Sequence, residues 1–296
     1  MPKERLLWID VARTIAIILI VGFHLIYELK PDQSFRIIGY IGVSIFFIVS
    51  GFILTKKYPN IKSFELAWFK KRYVRIASLY YPALIAMVLL FSTQTYYRGF
   101  YDLILHFAFL NFLSHDTLYS IISPAWFLIP LMALYLLFPY LNRALSWSKY
   151  LLIIAFLLSF AVRITGLDNS PYPLIFSLSD FCLGIAFAQD RKNLVLAAPL
   201  LMAIISPIMI VPYVLFYLLS FLENLNLPIS GIFSGIGKYS FEIFLFHESI
   251  MMTLLGKWNI YGLSTLPSLG ILILVLLIVE WISKVIQGML LSKEGG

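Results

Sequence analysis

Long apolar segments separated by short polar connections recur along the whole chain. A helix that crosses the hydrocarbon core of a membrane needs roughly 20 mostly apolar residues. Ten spanning helices are predicted on this basis, over residues 6–27, 36–55, 73–92, 125–142, 150–166, 172–189, 194–208, 209–223, 239–256 and 267–290. The pattern therefore predicts an all-α fold, a polytopic membrane helix bundle of about ten transmembrane helices, with residues 1–296 forming a single integral membrane domain.

Two places in this pattern need a separate interpretation. The apolar segment 101–113 has only 13 residues, too few to span comfortably. We predict a short re-entrant or interfacial helix there, on the outer side, with His106 at the interface. At 206–213, Pro207 and Pro212 either separate two short helices or kink one long helix.

The composition narrows the class of protein and of partner. The chain is 61% hydrophobic and 12% charged, whereas a soluble domain carries about 25% charged residues. The formal net charge is +7, but Lys and Arg lie between the predicted spans, where the positive-inside rule accounts for them without nucleic acid. Ten spans place these connections and both termini in the cytoplasm, so the prediction is a multi-pass protein of the inner (plasma) membrane, surrounded by its lipids.

Cysteine and histidine usage excludes two kinds of site. Cys182 is the single cysteine, so the chain forms no internal disulfide and no Cys-based metal site. The four histidines are scattered and the acids are not at metal-ligand spacings. We therefore expect no metal.

The first predicted helix carries an ionisable stripe made of Asp10, Arg13, His24 and Glu28. Arg13 and His24 are 11 residues apart, which is three turns plus about 20° at about 100° per residue. Asp10 precedes Arg13 by three residues, and Glu28 follows His24 by one turn. Charges near the bilayer centre cost about 2.5–3.5 kcal/mol each and are functional candidates by default. We therefore expect Arg13 and His24 to face a protein-lined chamber rather than lipid.

Structural interpretations stay open for parts of this stripe. Asp10 and Arg13 are alternatively an ion pair at the start of the helix. The alternative for His24 is a packing residue, and the alternative for Glu28 is a position at the outer membrane interface. His24 lies about 16 Å along the axis from Arg13, at about 1.5 Å per residue. These different depths suit a donor that enters from the cytoplasm and an acceptor that arrives from outside.

Other polar or small residues within apolar segments have mainly structural interpretations. Gly51 is expected to allow close helix packing, because small residues drive helix association in membranes. His247, beside Glu248, is expected either to pack or to support a neighbouring functional residue rather than to act in catalysis itself. Three further intramembrane acids would pair with Arg163, Arg13 or a histidine, and the sequence does not assign the partners: Asp180, Glu242 and Glu280.

Five sequence blocks occur in an order that resembles a known family. The opening helix contains Arg5, Asp10, Arg13, Ala16 and His24. The other blocks are SIFFIVSGFIL at 44–54, KKRYVRIASLYYP at 70–82, SDFCLGIAFA at 179–188 and IGKYSFEIFLFH at 236–247. Together they extend over nearly the whole chain and resemble those of the acyltransferase-3 membrane family, whose members transfer acyl groups to sugars and other hydroxyl acceptors.

The resemblance implies an acyl-CoA-dependent O-acyltransferase, with acetyl-CoA as the expected donor and a cell-envelope glycan or lipid-linked sugar as the acceptor. Acyl transfer to a hydroxyl needs a base, and the imidazole pKa of about 6.5 suits that task. His24, with Arg13 and Asp10, forms the expected catalytic group. His24 either deprotonates the acceptor hydroxyl or carries the acyl group transiently as an acyl-imidazole, and both hypotheses stay open.

Candidate binding residues lie on other segments. Arg72, Arg75 and Lys71 are at the inner mouth of the third predicted span, where cations would bind the phosphates of acyl-CoA. The alternative is an ordinary positive-inside cluster. Trp126 begins a predicted helix at the outer interface and, with Glu28, is a candidate for acceptor binding.

One departure from the family affects the expected catalytic set. Many members have a Glu five residues after the tryptophan that corresponds to Trp126, and here that position is Leu131. Some members that O-acylate surface polysaccharides also lack this acid, as do some once regarded as polysaccharide exporters. The competing function is therefore an exporter or flippase for a polysaccharide or a lipid-linked glycan, and a non-catalytic sensor is a third. The acceptor and the oligomeric state stay open.

Overall fold

The computed structural model describes residues 6–61, 63–148, 150–165, 173–190, 198–224 and 230–291. All regular secondary structure in these ranges is helical, so the all-α prediction is confirmed. Arg5, the first residue of the opening block, lies outside the described residues.

Thirteen α-helices lie within the described residues. They are α1 (Leu7–Leu29), α2 (Arg36–Lys57), α3 (Leu66–Phe91), α4 (Phe100–Phe107), α5 (His115–Leu118), α6 (Leu128–Trp147), α7 (Tyr150–Ile164), α8 (Pro173–Ala188), α9 (Leu200–Ala203), α10 (Val211–Ser220), α11 (Ser230–Lys238), α12 (Ser240–Leu254) and α13 (Thr265–Leu291). Short 3₁₀ turns precede or follow several of them, at Gln33–Phe35, Asn111–Leu113, Ser123–Phe127, Pro207–Ile210 and Phe221–Asn224.

Five helical segments in the described residues are long and apolar enough to cross a membrane. They are Leu7–Leu29, Gln33–Lys57, Leu66–Phe91, Ser123–Trp147 and Thr265–Leu291. Shorter apolar helical segments lie at Tyr150–Ile164, Ser177–Ala188 and Pro207–Glu223. The chain is therefore a helical, multi-pass membrane protein, and the number of ten spans stays a prediction.

The predicted continuous helix over 194–208 is wrong within its described part, which begins at residue 198. A four-residue helix, Leu200–Ala203, is followed by Ser206 in an extended conformation (ψ 131°) and by the 3₁₀ turn Pro207–Ile210. The physical reason is Pro207, because the residue before a proline is pushed out of the helical region. Pro212 sits in the first turn of α10, where a helix tolerates proline.

The segment 101–113 does not form one continuous helix. The eight-residue α4 ends at Phe107 and the turn Asn111–Leu113 follows it. Neither element is long enough to span, which agrees with the predicted short helix. Its position on the outer side stays a prediction.

The chain divides into two compact units. Unit 1 consists of Met1–Ser63 and Leu136–Ser240, and unit 2 consists of Phe64–Tyr135 and Phe241–Gly296. The ionisable stripe of α1 therefore belongs to unit 1.

Unit 1 is built around α2, which packs against α1 and α8. Gly51 on α2 and Gly184 on α8 lie where the two backbones meet: a Cβ atom at Gly51 would overlap the carbonyl of Phe181, and one at Gly184 would overlap that of Ile48. The expected packing role of Gly51 is confirmed, because only glycine permits this separation. An aromatic cluster beside this contact fills the core: Trp8, Phe52, Phe187 and Phe216.

In unit 2, α3 packs against α13. A buried polar contact joins them, since Ser78 Oγ and Ser283 Oγ are 2.9 Å apart and Gln287 Nε2 donates to Ser78 Oγ at 3.1 Å. Serine hydroxyls that bond across helices stabilise membrane bundles in this way.

Candidate active site

Arg13 and His24 lie on the covered face of α1. Because α1 is one uninterrupted helix, their separation puts them within about 20° of each other around its axis. The residues between them on the same face are at most 2% exposed: Ala16, Ile17 and Ile20. The opposite face is apolar and open, with Ile18 56% and Leu29 68% exposed. Arg13 and His24 therefore face the protein, and the exposed apolar side chains of α1 lie on the opposite face of the helix.

Two helices of unit 1 flank this face. On one side α2 approaches α1, where Gly39 lies against the Phe23 ring and Gly42 against Ile20. On the other side α11 approaches, and Thr14 Oγ1 donates to the Phe233 carbonyl at 2.9 Å. At about 100° per residue the line from Arg13 to His24 falls between these two contacts.

Asp10 is buried at the contact between α1 and α11. It is 2% exposed, and Ser234 Oγ lies 3.5 Å from its Oδ2. A Cβ at Gly237 would overlap the Asp10 backbone, so the two helices are nearly in backbone contact there. This placement gives Asp10 a packing role, and its catalytic role stays a prediction.

His24 and Glu28 are half-buried near the C-terminal end of α1. The two side chains are close enough to interact electrostatically, and the Phe23 ring lies 4.9 Å from the imidazole. His24 thus combines a neighbouring carboxylate with partial exposure. A base that must reach a substrate needs both a stabilising partner and access.

The donor-binding candidates lie on α3 in unit 2, and their exposure differs. Arg72 is 8% exposed, Lys71 is half-buried and Arg75 is exposed. Although Arg72 and Arg75 are only three residues apart, the helix buries the first and leaves the second open. A joint role as one phosphate clamp stays a prediction.

The sequence did not assign partners to the acids Glu242 and Glu280. In the structure both acids belong to one group of charged side chains in unit 2. Glu242 interacts electrostatically with Glu280, Arg75 and Lys284. Lys284 Nζ lies 2.6 Å from Glu280 Oε1. The packing of α3, α12 and α13 therefore balances the two carboxylates with two cations.

Asp180 is within electrostatic range of Arg163, one of the partners that the sequence left open. It is 2% exposed, interacts electrostatically with Arg163 and accepts a hydrogen bond from the Ser44 hydroxyl. The Tyr213 hydroxyl donates to Asp180 Oδ1 at 2.6 Å. Side chains from α2, α7 and α10 thus supply the hydrogen bonds and the positive charge that a carboxylate needs when it is removed from water.

His106 is fully buried within the protein, and its predicted position at the membrane interface stays a prediction. Nε2 donates to the Thr117 carbonyl at 3.1 Å, and Nδ1 accepts from the Tyr80 hydroxyl at 2.7 Å. Ser120 Oγ, 3.0 Å from Nε2, donates to Asp102 Oδ1 at 2.8 Å. Burial lowers the pKa of His106 to about 4. No local signal could have revealed the whole network, because its members come from α3, α4, α5 and the segment after α5.

Trp126 is half-buried in the 3₁₀ turn Ser123–Phe127, directly before α6. Its neighbour Phe127 packs on Phe244, with ring centroids 5.2 Å apart. Leu131 is buried. No group of three or more potential metal ligands occurs among the residues that were placed, and the absence of a metal stays a prediction.

Comparison with known proteins gives a family. A family model described as an acyltransferase domain, Acyl_transf_3, matches residues 6–211. The chain belongs to this acyltransferase family. A search of curated proteins and a search of solved structures each gave no match.

The region that the family model matches contains the candidate site residues of this acyltransferase. The matched region contains the stripe on α1, the cations of α3 and Trp126. The block at 236–247, which includes His247, lies beyond it. His247 is buried and its Nδ1 donates to the Phe244 carbonyl at 2.8 Å within α12, as expected of a packing residue.

Proposed function

We propose that this membrane acyltransferase moves an acetyl or other short acyl group from cytoplasmic acyl-CoA to a hydroxyl of a cell-envelope glycan. The observation that carries the proposal is the placement of Arg13 and His24 on one covered face of α1 in a chain of an acyltransferase family. An arginine and a histidine are costly in a membrane helix unless they line a polar, protein-enclosed space.

In the proposed reaction, His24 acts on the acceptor. Its imidazole takes the proton of the acceptor hydroxyl as the oxygen attacks the thioester carbonyl. The Glu28 carboxylate, within electrostatic range of His24, stabilises the imidazolium that forms. Collapse of the tetrahedral intermediate then expels the thiolate of CoA, which takes up the proton. An acyl-imidazole route uses the same residue and yields the same products.

In the proposal, Arg13 acts nearer to the cytoplasmic end of α1 than His24 does. It lies 11 residues before His24, or about 16 Å along the axis. The proposal assigns it to the donor, with its fixed charge near the thioester, where negative charge develops on the carbonyl oxygen. Asp10, one turn away, holds the guanidinium in position.

The donor phosphates are assigned to the cations of α3. Arg72 and Arg75 provide planar guanidinium groups that bind phosphate through two oxygens, and Lys71 adds a point charge. Since Arg72 is buried and Arg75 exposed, Arg72 is the better candidate for a fixed phosphate contact. Trp126 and Glu28 are the assigned acceptor contacts. The acceptor is a glycan or a lipid-linked sugar.

The test uses membranes that contain the full chain, incubated with labelled acetyl-CoA and candidate envelope glycans. We expect label to enter the glycan with the wild type and not with His24→Ala. The matched control is Leu25→Ala, which removes the neighbouring side chain from the open face of α1 and should leave transfer unchanged. Transfer by His24→Ala at the wild-type rate would remove His24 from both proposed routes.

One observation favours the exporter as a second function. The helical path breaks at Ser206 and Pro207 between α9 and α10, and broken helices are common in transporters. A knockout complemented with His24→Ala separates the two functions. Loss of glycan acetylation with normal export agrees with the enzyme, whereas unchanged acetylation with lost export indicates the transporter.

A further inference from the structure

A polar pair at the C-terminal end of α1, Tyr27 and Gln33, lies beside His24. The Gln33 side-chain amide donates from Nε2 to the Tyr27 hydroxyl at 3.1 Å, and Tyr27 is half-buried while Gln33 is exposed. Tyr27 follows His24 by three residues, so it is displaced by about 60° around the helix axis and about 4.5 Å along it. Glu28 is displaced by about 40° in the other direction. On the surface of α1, His24 is therefore flanked by Tyr27 on one side and by Glu28 on the other.

The Tyr27 side chain is held from two directions. Its ring packs on the Phe23 ring, with centroids 5.8 Å apart, and the Phe23 ring also lies 4.9 Å from the His24 imidazole. Gly39 of α2 lies directly against Phe23, because a Cβ atom there would overlap the ring. Gln33, in the connection between α1 and α2, contacts the hydroxyl end of Tyr27. A side chain that is already ordered in this way binds a ligand with little further loss of entropy.

The pair offers both a hydrogen-bond donor and an acceptor. The Tyr27 hydroxyl accepts from Gln33 and retains its own proton, while the Gln33 amide retains its carbonyl oxygen. With the amide in the reverse orientation, the Tyr27 oxygen accepts and the amide nitrogen donates, so the pair still offers one of each. A sugar hydroxyl also both donates and accepts, and it satisfies both members at once. A neutral hydroxyl therefore fits this pair.

Together with His24, the pair gives the acceptor two points of contact. A base alone takes the proton of whichever hydroxyl reaches it, whereas a second fixed contact orients the sugar ring and determines which hydroxyl that is. We propose that Tyr27 and Gln33 bind a second hydroxyl of the acceptor sugar and thereby select the hydroxyl that His24 deprotonates. This inference rests on the proposed function and adds to it the residues that determine the position of acylation.

The test measures where acetyl groups are placed. Membranes that contain the full chain are incubated with acetyl-CoA and with envelope polysaccharide isolated from cells that lack this chain. Initial rates give the Michaelis constants, and NMR spectra of the polysaccharide give the acetylated positions. For Tyr27→Phe and Gln33→Ala we expect the Michaelis constant for the polysaccharide to rise about fivefold, as the loss of one hydrogen bond predicts. Acetyl groups should also appear at more than one hydroxyl, while the Michaelis constant for acetyl-CoA stays unchanged.

A control variant distinguishes acceptor binding from packing. Tyr217→Phe removes the hydroxyl of another half-buried tyrosine of unit 1 and should leave rates and acetylated positions as in the wild type. If Tyr27→Phe and Gln33→Ala both keep the wild-type Michaelis constant for the polysaccharide and the wild-type position, whatever their melting temperatures, the pair only joins α1 to α2 and the inference is wrong. The proposed function would survive that result. A wild type that transfers no acetyl group to the polysaccharide would instead overturn both.

Discussion

His24 in unit 1 and His106 in unit 2 are both histidines within apolar segments, and the structure treats them differently. His106 is completely buried, and both ring nitrogens have defined partners in Tyr80 and Thr117. His24 is half-buried on a covered helix face, beside Glu28. Of the two imidazoles, only that of His24 is in contact with solvent. Burial of an imidazole is therefore a poor sign of catalysis, and partial access beside a carboxylate is a better one.

The largest effect is expected on acyl-transfer activity, and it tests whether His24 differs from His106 in being catalytic. His24→Ala should lower acyl transfer by about 10²–10⁴-fold, the usual contribution of a general base, with little change in thermal stability. The measurement pairs initial rates with a melting temperature in nanodiscs. A loss of activity that merely follows a loss of folded protein would place His24 with His106 as a structural residue.

The converse substitution should act on stability. His106→Ala leaves the Tyr80 hydroxyl buried without its acceptor, which costs about 1–3 kcal/mol, while the folded fraction should retain wild-type activity. Thermal unfolding followed by tyrosine and tryptophan fluorescence measures the shift. An inactive but fully stable His106→Ala protein would contradict the structural role.

The pH dependence of stability sharpens the same contrast. Burial lowers the pKa of His106 to about 4, whereas the unfolded chain titrates at about 6.5. Between these values the unfolded state binds a proton that the folded state does not, so stability falls as the pH drops from about 6.5 to about 4. Above pH 6.5 this contribution is constant. The control is His106→Gln, whose melting temperature should depend less on pH, and identical slopes for the two proteins would refute the account.

A smaller effect is expected at the donor cations. Arg72→Ala should raise the Michaelis constant for acetyl-CoA by about tenfold, as the loss of a charge-assisted hydrogen bond predicts. The exposed Arg75 should contribute less, because solvent weakens its interaction with phosphate. Steady-state kinetics over a range of salt concentrations separates the two. If substitution of Arg72 and of Arg75 each left the Michaelis constant unchanged, the cations of α3 would be explained by the positive-inside rule alone.

Much of the fold follows from apolar length alone. The predicted helix over 6–27 corresponds to α1 at Leu7–Leu29, and that over 267–290 to α13 at Thr265–Leu291. The helix predicted at 73–92 instead begins at Leu66, since the cationic first turns of α3 are helical without being apolar. At Pro207 a local steric rule outweighed the apolar pattern.

The site was predictable only where one helix contains it. The shared face of Arg13 and His24 follows from their spacing on α1, because helical geometry is local. The partners of Asp180 and His106 come from other helices, and the sequence offers no register between them. Arg163 was one of several possible partners for Asp180, and nothing local distinguished it from Arg13.

Cysteine accessibility tests the central claim most directly, that Arg13 and His24 face a protein-lined space that substrates enter. Cys182 is the single cysteine, so Cys182→Ala provides a background for His24→Cys, Arg13→Cys and the control Ile18→Cys on the open face. We predict that a small water-soluble thiol reagent modifies positions 13 and 24, that acetyl-CoA slows the reaction at position 13, and that Ile18→Cys is not modified. Modification at positions 13 and 24 no faster than at position 18 would contradict the account.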